Sequence, residues 1–405
     1  MDYRDLNTPC RILLGPGPSM VHPRVLGALA HPLLGHLDPL FVALMNEVQD
    51  LLRFTFQTAN SLTLPLSGTG SAGMEAAVCN FVEPGDRVLI GVNGYFSERL
   101  CNMAARYGAE VCRVERPWGE VFTVEEIERA LSSKPAKLVA LVHAETSTGA
   151  MQPLEGMAEV VHRQGGLLLL DCVTSLGGLP VTIDKWDVDI AYSGTQKCLS
   201  CPPGLSPFTV GPRARSVLRS RKSTVPNWYL DLTLLESYWG SERTYHHTAP
   251  ISMNFALREA LRLVHEEGLE RRFERHRAHA QLLWDGLETL GLHLAVPAEH
   301  RLPTLTTVLV PDGVDEASVR RQLLDDFNIE IAGGLGTLKG RVWRIGLMGY
   351  SSRRENVILL LGALERLLKR GDVPLRHRAR VSGSLANEQP HESADTGAAP
   401  FVTPS

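Results

Sequence analysis

The sequence predicts an α/β protein: a large unit built on a mostly parallel sheet flanked by helices, then a smaller α+β unit. Two observations predict it. Between about residues 86 and 193, short apolar runs alternate with amphipathic helical patterns, as repeated βαβ units do. From about Ser252 that alternation gives way to long helical patterns separated by two strand-like runs.

Residues 1–20 read as an N-terminal arm, 21–252 as the large unit and 253–370 as the smaller one. In the large unit, 86–92 is a strand, 97–107 a helix and 109–114 a strand. Residues 123–132 form a helix, with Thr123 as N-cap and Glu126 three positions later closing a capping box. Residues 137–143 have the apolar interior of a strand buried on both faces. A helix over 154–164 leads to a strand over 166–171, whose four consecutive leucines end in Asp171, and a further strand covers 188–193. The smaller unit has helices over 253–266, 269–290, 316–327 and 356–369, and strands over 304–310 and 342–347. Arg271, Arg272, Arg275 and Arg277, mixed with Glu270 and Glu274, read as a solvated charged face of the helix over 269–290. Residues 371–405 are rich in Pro, Ser, Ala, Glu and His, with few large apolar side chains. Disorder is expected there, because such a segment buries too little surface to offset its ordering entropy.

Composition narrows the class of function. The chain has 405 residues, 44% hydrophobic and 21% charged, and a net charge of -4 with both signs interspersed. That balance carries neither a nucleic-acid footprint nor a polybasic membrane patch. No apolar run is long enough to span a bilayer, and the first residues lack the basic-then-apolar order of a secretory signal. The terminal Pro404-Ser405 is not a peroxisomal address, so a cytoplasmic location is expected. Seven cysteines without a signal favour reduced core thiols. Cys198 and Cys201 form a single Cys-x-x-Cys, and no second pair follows to complete a zinc site.

The chemistry gathers at predicted strand ends, where ligands bind in parallel sheets. Lys197 closes the loop Tyr192-Ser-Gly-Thr-Gln196-Lys197, and Asp171 ends a buried strand 26 positions earlier. A lysine and an acid so placed can hold an aldehyde cofactor as a Schiff base and keep its ring nitrogen protonated. Ser67-Gly68-Thr69-Gly70-Ser71-Ala72-Gly73 opens a helix, offering N–H groups and hydroxyls to an anion. Its Gly-x-Gly-x-x-Gly spacing also fits a dinucleotide fingerprint, but the next strand ends at Val92-Asn93-Gly94 without the acid that a ribose needs. A phosphate cup for a smaller cofactor is the better reading. Phe96, at a strand-to-helix junction, offers a ring for stacking. The segment 143–149 places Thr146 and other hydroxyl residues at a strand end, to bond a cofactor or a substrate carboxylate. In Tyr245-His246-His247-Thr248 the adjacent histidines point apart, so a turn presenting the Tyr and Thr hydroxyls to an anion is preferred over a metal site. Arg344 interrupts an apolar strand and needs an anionic partner, for which a substrate carboxylate gripped by two parallel bonds fits.

These stretches, together with 14–19, 83–86, 175–178, 202–204 and 333–336, resemble the class V, fold-type I pyridoxal-phosphate aminotransferases, nearest the alanine–glyoxylate (serine–pyruvate) group. The similarity runs from about residue 12 to 369. It implies a seven-stranded, mostly parallel sheet, pyridoxal 5′-phosphate as cofactor, no metal, and a homodimer with shared active sites. It implies that Lys197 is the Schiff-base lysine and Asp171 the partner of the pyridine nitrogen. Thr69, Gly70 and Gln196 would bind the phosphate, with Tyr245 and Thr248 contributed by the partner subunit. Thr146 would lie near the ring, Arg344 would bind the substrate carboxylate, and Gly15 in Gly15-Pro-Gly-Pro18 would line the same pocket. Two positions depart from the animal members, which carry His at Ser71 and a stacking Trp at Phe96. The substrates implied are L-alanine or L-serine as donor and glyoxylate or pyruvate as acceptor. The alternatives are a pyridoxamine–pyruvate aminotransferase, a class V lyase, a nicotinamide dehydrogenase or a cofactor-less module. A desulfurase-type lyase is disfavoured because residues 202–405 contain no cysteine.

Overall fold

The computed structural model describes Tyr3 and residues 5–370. The expected tail over 371–405 lies outside the described residues. The chain runs β1 (Ile12–Leu13), α1 (Pro23–Leu29), α2 (Pro39–Phe56), β2 (Leu62–Ser67), α3 (Gly70–Phe81), β3 (Arg87–Val92), α4 (Tyr95–Arg106), β4 (Glu110–Glu115) and α5 (Val124–Ser133). It continues through β5 (Leu138–Val142), β6 (Ala144–Glu145), β7 (Ala150–Met151), α6 (Met157–Arg163), β8 (Leu167–Asp171), β9 (Ile190–Tyr192), β10 (Leu205–Val210), α7 (Pro212–Arg219) and α8 (Leu232–Trp239). Then follow α9 (Ile251–Glu267), α10 (Leu269–Thr289), β11 (Leu305–Leu309), α11 (Glu316–Phe327), β12 (Ile329–Glu330), β13 (Ala332–Gly333), β14 (Val342–Gly346) and α12 (Arg354–Arg370). The expected capping box is present: Thr123 Oγ1 accepts from the Glu126 N–H, and Glu126 Oε2 from the Thr123 N–H.

Seven strands form the main sheet in the order β2-β10-β9-β8-β5-β3-β4. All pairs are parallel except those of β10, which runs antiparallel to both neighbours. The period-2 alternation of each strand separates two cores. Leu167 and Leu169 of β8 face the helices α3, α4, α7 and α8, whereas Leu168 and Leu170 face α1, α5, α6 and α9. Burial on both faces is why β5 and β8 read as unbroken apolar runs. The place of the candidate site follows from this topology: β2, β5 and β9 lead into the segments that carry Thr69, Thr146 and Lys197, and β8 ends in Asp171.

A three-stranded sheet, β11-β14-β13, forms a third core with α10, α11 and α12 around the fully buried Trp343. The N-terminal arm joins this core, because β1 pairs in parallel with β12 and Leu14 is buried there. Two expectations change. The helix α9, expected to open the smaller unit, packs on α1 and α2 through Ala256, Leu257, Ala260 and Val264. Of the arginines of α10, Arg271 and Arg277 are exposed with Glu270 and Glu274 as expected, whereas Arg272 and Arg275 leave that face. Arg272 is buried, donating to the carbonyls of Gly177 and Cys198 and to Glu267, and Arg275 bonds Glu267 and the carbonyls of Gly349 and Ser352. On α10 Arg272 sits in the buried stripe with Leu269, Phe273 and His276, with the half-buried Arg275 at its border, and both satisfy carbonyls of other segments.

Candidate active site

Lys197 leaves β9 on a loop held from both sides. Ser193 Oγ donates to the Cys172 carbonyl (3.0 Å), Thr195 Oγ1 donates to the Pro202 carbonyl (2.8 Å), and Ser19 Oγ donates to the Lys197 carbonyl (2.8 Å). The ammonium donates to the Pro16 carbonyl. A Cβ on Gly17, which has φ +113°, would lie 2.8 Å from Lys197 Nζ, so the arm reaches the lysine only because that residue is glycine. Within Gly15-Pro-Gly-Pro18, then, Pro16 and Gly17 touch Lys197, while the Gly15 carbonyl packs against Gly346. Burial pulls the Lys197 amine down to about 8, with Arg344 and Arg99 adding to the effect and Cys198 and Asp171 opposing it.

Asp171 ends β8 and is 3% exposed. Its Oδ1 accepts from the Val173 N–H (2.9 Å) and its Oδ2 from the Tyr192 hydroxyl (2.7 Å). Burial raises its pKa, against the pull of these two donors and of Lys197. Each oxygen keeps a lone pair for a further donor. Tyr192, part of the Lys197 motif but given no role from sequence, emerges as the residue that orients Asp171.

Thr69 is the N-cap of α3, exposed, and its hydroxyl makes no capping bond. Of the first-turn N–H groups of α3, that of Ala72 bonds the Thr69 carbonyl (2.7 Å), which leaves those of Gly70 and Ser71 and the Thr69 hydroxyl at the positive end of the helix. Gly70 is packed between neighbouring turns: a Cβ there would lie 3.1 Å from Val173 Cγ2 and 3.7 Å from Gly194 Cα. The phosphate cup thus abuts both the Asp171 turn and the Lys197 loop. Gln196, next to Gly194, has a buried amide oxygen without a partner, and an amide rotation exchanges it for the NH2 group. Ser71 is exposed and accepts from Arg99 Nη1 (3.0 Å), and the Arg99 guanidinium lies 5.0 Å from the centre of the half-buried Phe96 ring.

Arg344 lies at the centre of β14, 5% exposed. Its Nε donates to the Gly333 carbonyl (2.7 Å) and its Nη1 to the Thr146 carbonyl (3.1 Å). Thr146 is buried. Burial lowers the Arg344 pKa to about 10, with Glu145 the opposing charge. Tyr245 and Thr248 are exposed, and their hydroxyls approach each other to 3.4 Å without bonding to the Lys197 loop of their own chain. His247 ties their segment to Ser67 beside the cup (2.8 Å), and His246 faces the Tyr229 carbonyl.

The residues present fit pyridoxal phosphate. A helix N-terminus with a free hydroxyl, an orphaned amide, a buried carboxylate and a lysine of lowered pKa match its phosphate, ring nitrogen and aldehyde. The Aminotransferase class-V family model matches residues 20–357. The chain belongs to the class-V aminotransferases. It is 43% identical over 401 residues to the (S)-ureidoglycine–glyoxylate transaminase of Bacillus subtilis, covering 95% of each chain. It is 43% identical over 370 residues to the alanine–glyoxylate aminotransferase of Rattus norvegicus, covering 90% of this chain and 89% of that one. The crystal structure of an alanine–glyoxylate aminotransferase from Nostoc sp. superposes with a TM-score of 0.90 at 57% identity, covering 91% of this chain and 98% of that one. The fold of this class-V aminotransferase is thus fold-type I, and its reaction is amino-group transfer.

Proposed function

We propose that the protein uses pyridoxal 5′-phosphate to transfer the amino group of L-alanine or L-serine to glyoxylate or pyruvate. The observation that carries this reading is Arg344: a buried guanidinium, bonded among the described residues to the carbonyls of Gly333 and Thr146, on the same site as a lysine of lowered pKa. The relatives at 43–57% identity named above all carry glyoxylate in their names, which supports it as acceptor. When bound, the cofactor supplies an electron sink that acidifies the donor's Cα–H and carries the amino group between the two half-reactions.

The remaining work falls to the chain. Arg344 grips the α-carboxylate of donor and acceptor in turn and so orients the Cα–H bond. Lys197 would hold the cofactor at its aldehyde and, as the site's base, would move the proton between the donor's Cα and the cofactor's C4′. Its lowered pKa keeps a usable fraction as free amine near neutral pH. Asp171, oriented by Tyr192, holds the ring-nitrogen proton. Thr69, Gly70, Ser71 and Gln196 hold the phosphate, and Phe96 and Thr146 flank the ring. Tyr245 and Thr248 serve the partner's site in a homodimer. Leu33, Leu40, Trp228 and Tyr245, each at least 55% exposed, support a further buried face.

A second reading concerns the donor. The Bacillus subtilis relative matches over more residues than the rat enzyme at equal identity, which favours testing (S)-ureidoglycine as well. A panel of L-alanine, L-serine, (S)-ureidoglycine and pyridoxamine against glyoxylate and pyruvate tests the proposal. Turnover of alanine or serine with glyoxylate is expected. A clear preference for ureidoglycine, or for pyridoxamine with pyruvate, would replace the assignment.

A further inference from the structure

Glu145 has no place in the chemistry above, yet it is the fully buried acid at the centre of the site. It lies on β6, directly before Thr146. Its Oε2 accepts from the N–H groups of Phe96 (3.2 Å) and Ser97 (3.4 Å), and its Oε1 from Ser147 N (3.1 Å) and Ser147 Oγ (2.6 Å). Ser147 Oγ in turn accepts from the Tyr95 N–H (2.9 Å). The first N–H groups of α4 are thus satisfied by a carboxylate and a hydroxyl about 50 residues away in sequence (|i−j| = 49 for Phe96 to Glu145).

The local alternative is closed off. The N-cap of α4 is Gly94, and a Cβ there would lie 2.4 Å from Glu145 Cδ. The carboxylate occupies the space in which an ordinary Ser, Thr or Asp cap would sit. A local cap would satisfy the helix without the desolvation that pushes the Glu145 carboxyl up to about 7. What a local cap would not do is tie α4 to the 145–147 turn. That turn presents the Thr146 carbonyl to Arg344 (3.1 Å), and α4 carries Phe96.

We propose that Glu145 is a positioning residue that fixes the ring-stacking Phe96 and the carboxylate-binding Arg344 in one register, through the start of α4 on one side and Thr146 on the other. The assignment rests on the proposed roles of those two residues. It makes cofactor affinity and substrate affinity depend on one side chain that touches neither ligand.

The test is Glu145→Gln, which keeps the shape but sets an NH2 group against donors, with Ser147→Ala as a milder variant that removes one donor to Oε1 and the acceptor of the Tyr95 N–H. Each holoenzyme is assayed for KM of donor and acceptor, kcat, cofactor dissociation and the visible circular dichroism of the bound cofactor. For Glu145→Gln we expect KM for both substrates to rise about tenfold, the change that about 1.4 kcal/mol of misplacement produces. Cofactor release should quicken and the dichroic band change, and Ser147→Ala should shift all of these in the same direction by less. A lowered melting temperature with both KM values and cofactor dissociation within about twofold of the parent would overturn the inference. If Glu145→Gln does not fold, an unchanged Ser147→Ala overturns it alone. An inactive parent enzyme would instead refute the transaminase reading on which the inference stands.

Discussion

Replacing Arg344 tests the substrate-binding argument most sharply, because the structure limits what the guanidinium can still do. It has five N–H groups. One on Nε is taken by the Gly333 carbonyl and one on Nη1 by the Thr146 carbonyl. The remaining N–H groups, on Nη1 and Nη2, suffice for two parallel bonds to a carboxylate. A hydrogen bond between charged groups is worth about 1.5–3 kcal/mol. Arg344→Gln removes both bonds and the charge, so kcat/KM should fall by about 4 kcal/mol, or roughly 1,000-fold, for donor and acceptor alike. Arg344→Lys keeps the charge but loses the fork, for about 2 kcal/mol or roughly 30-fold. The lowered pKa of about 10 keeps the parent guanidinium charged through neutral pH. The KM of the 2-oxo acid, which carries no amine to titrate, should therefore be flat up to about pH 9 and rise above about 10. The assay is steady-state kinetics with each substrate varied in turn, with cofactor content and melting temperature measured on the same preparations. A folded, cofactor-loaded Arg344→Gln with KM values within about twofold of the parent would refute the carboxylate role.

Three further outcomes follow from the same geometry. Asp171→Asn keeps a polar side chain beside the Val173 N–H and the Tyr192 hydroxyl but loses the charge. A carboxylate in contact moves its partner's pKa by about 1–3 units, so kcat should drop roughly 10- to 1,000-fold with little change in KM, and an unchanged kcat would reject the ring-nitrogen role. In the apoprotein, the folded state lowers the Lys197 pKa to about 8 from its ordinary 10.5, so the native state binds fewer protons than the unfolded chain between these values. This contribution makes stability rise with pH across that window. Reductive methylation of Lys197 should then have a midpoint near pH 8, and a midpoint above about 9.5 would contradict the burial argument. Gly73→Ala would set a Cβ 2.2 Å from Ser206 Oγ and 3.0 Å from Tyr192 Cβ. Overpacking of this kind costs about 1–3 kcal/mol, which thermal melts would register and which adding Ser206→Ala should partly relieve.

Much of this site was legible because its residues end runs that only a doubly covered strand explains. Leu167–Asp171 and Leu138–Val142 could be read for that reason, and the acid and the Thr146 turn came with them. The strands Leu62–Ser67 and Leu205–Val210 went unread because each carries a proline, the residue that argues most against a strand inside a sheet. The register resolves the conflict: Pro65 and Pro207 lie opposite each other in the antiparallel pair, where neither residue has an N–H to leave unpaired. Of the α10 arginines, Arg272 and Arg275 were misread because charge counts carry no direction. The spacing Leu269, Arg272, Phe273, His276, Ala280 places Arg272 in an apolar stripe, and that periodicity was the available signal. Glu145 left no such trace. Its role depends on Gly94 lacking a side chain 51 positions earlier, a contact visible only in three dimensions.

In the proposed function, Lys197 carries the cofactor at the meeting point of Asp171, the Thr69 cup and Arg344. Borohydride reduction of the holoenzyme, proteolysis and mass spectrometry test it directly. A pyridoxyl group is expected on the peptide containing Lys197, and its loss when L-alanine is added before the reductant. A pyridoxyl group on any other lysine, or none on a catalytically active preparation, would contradict it.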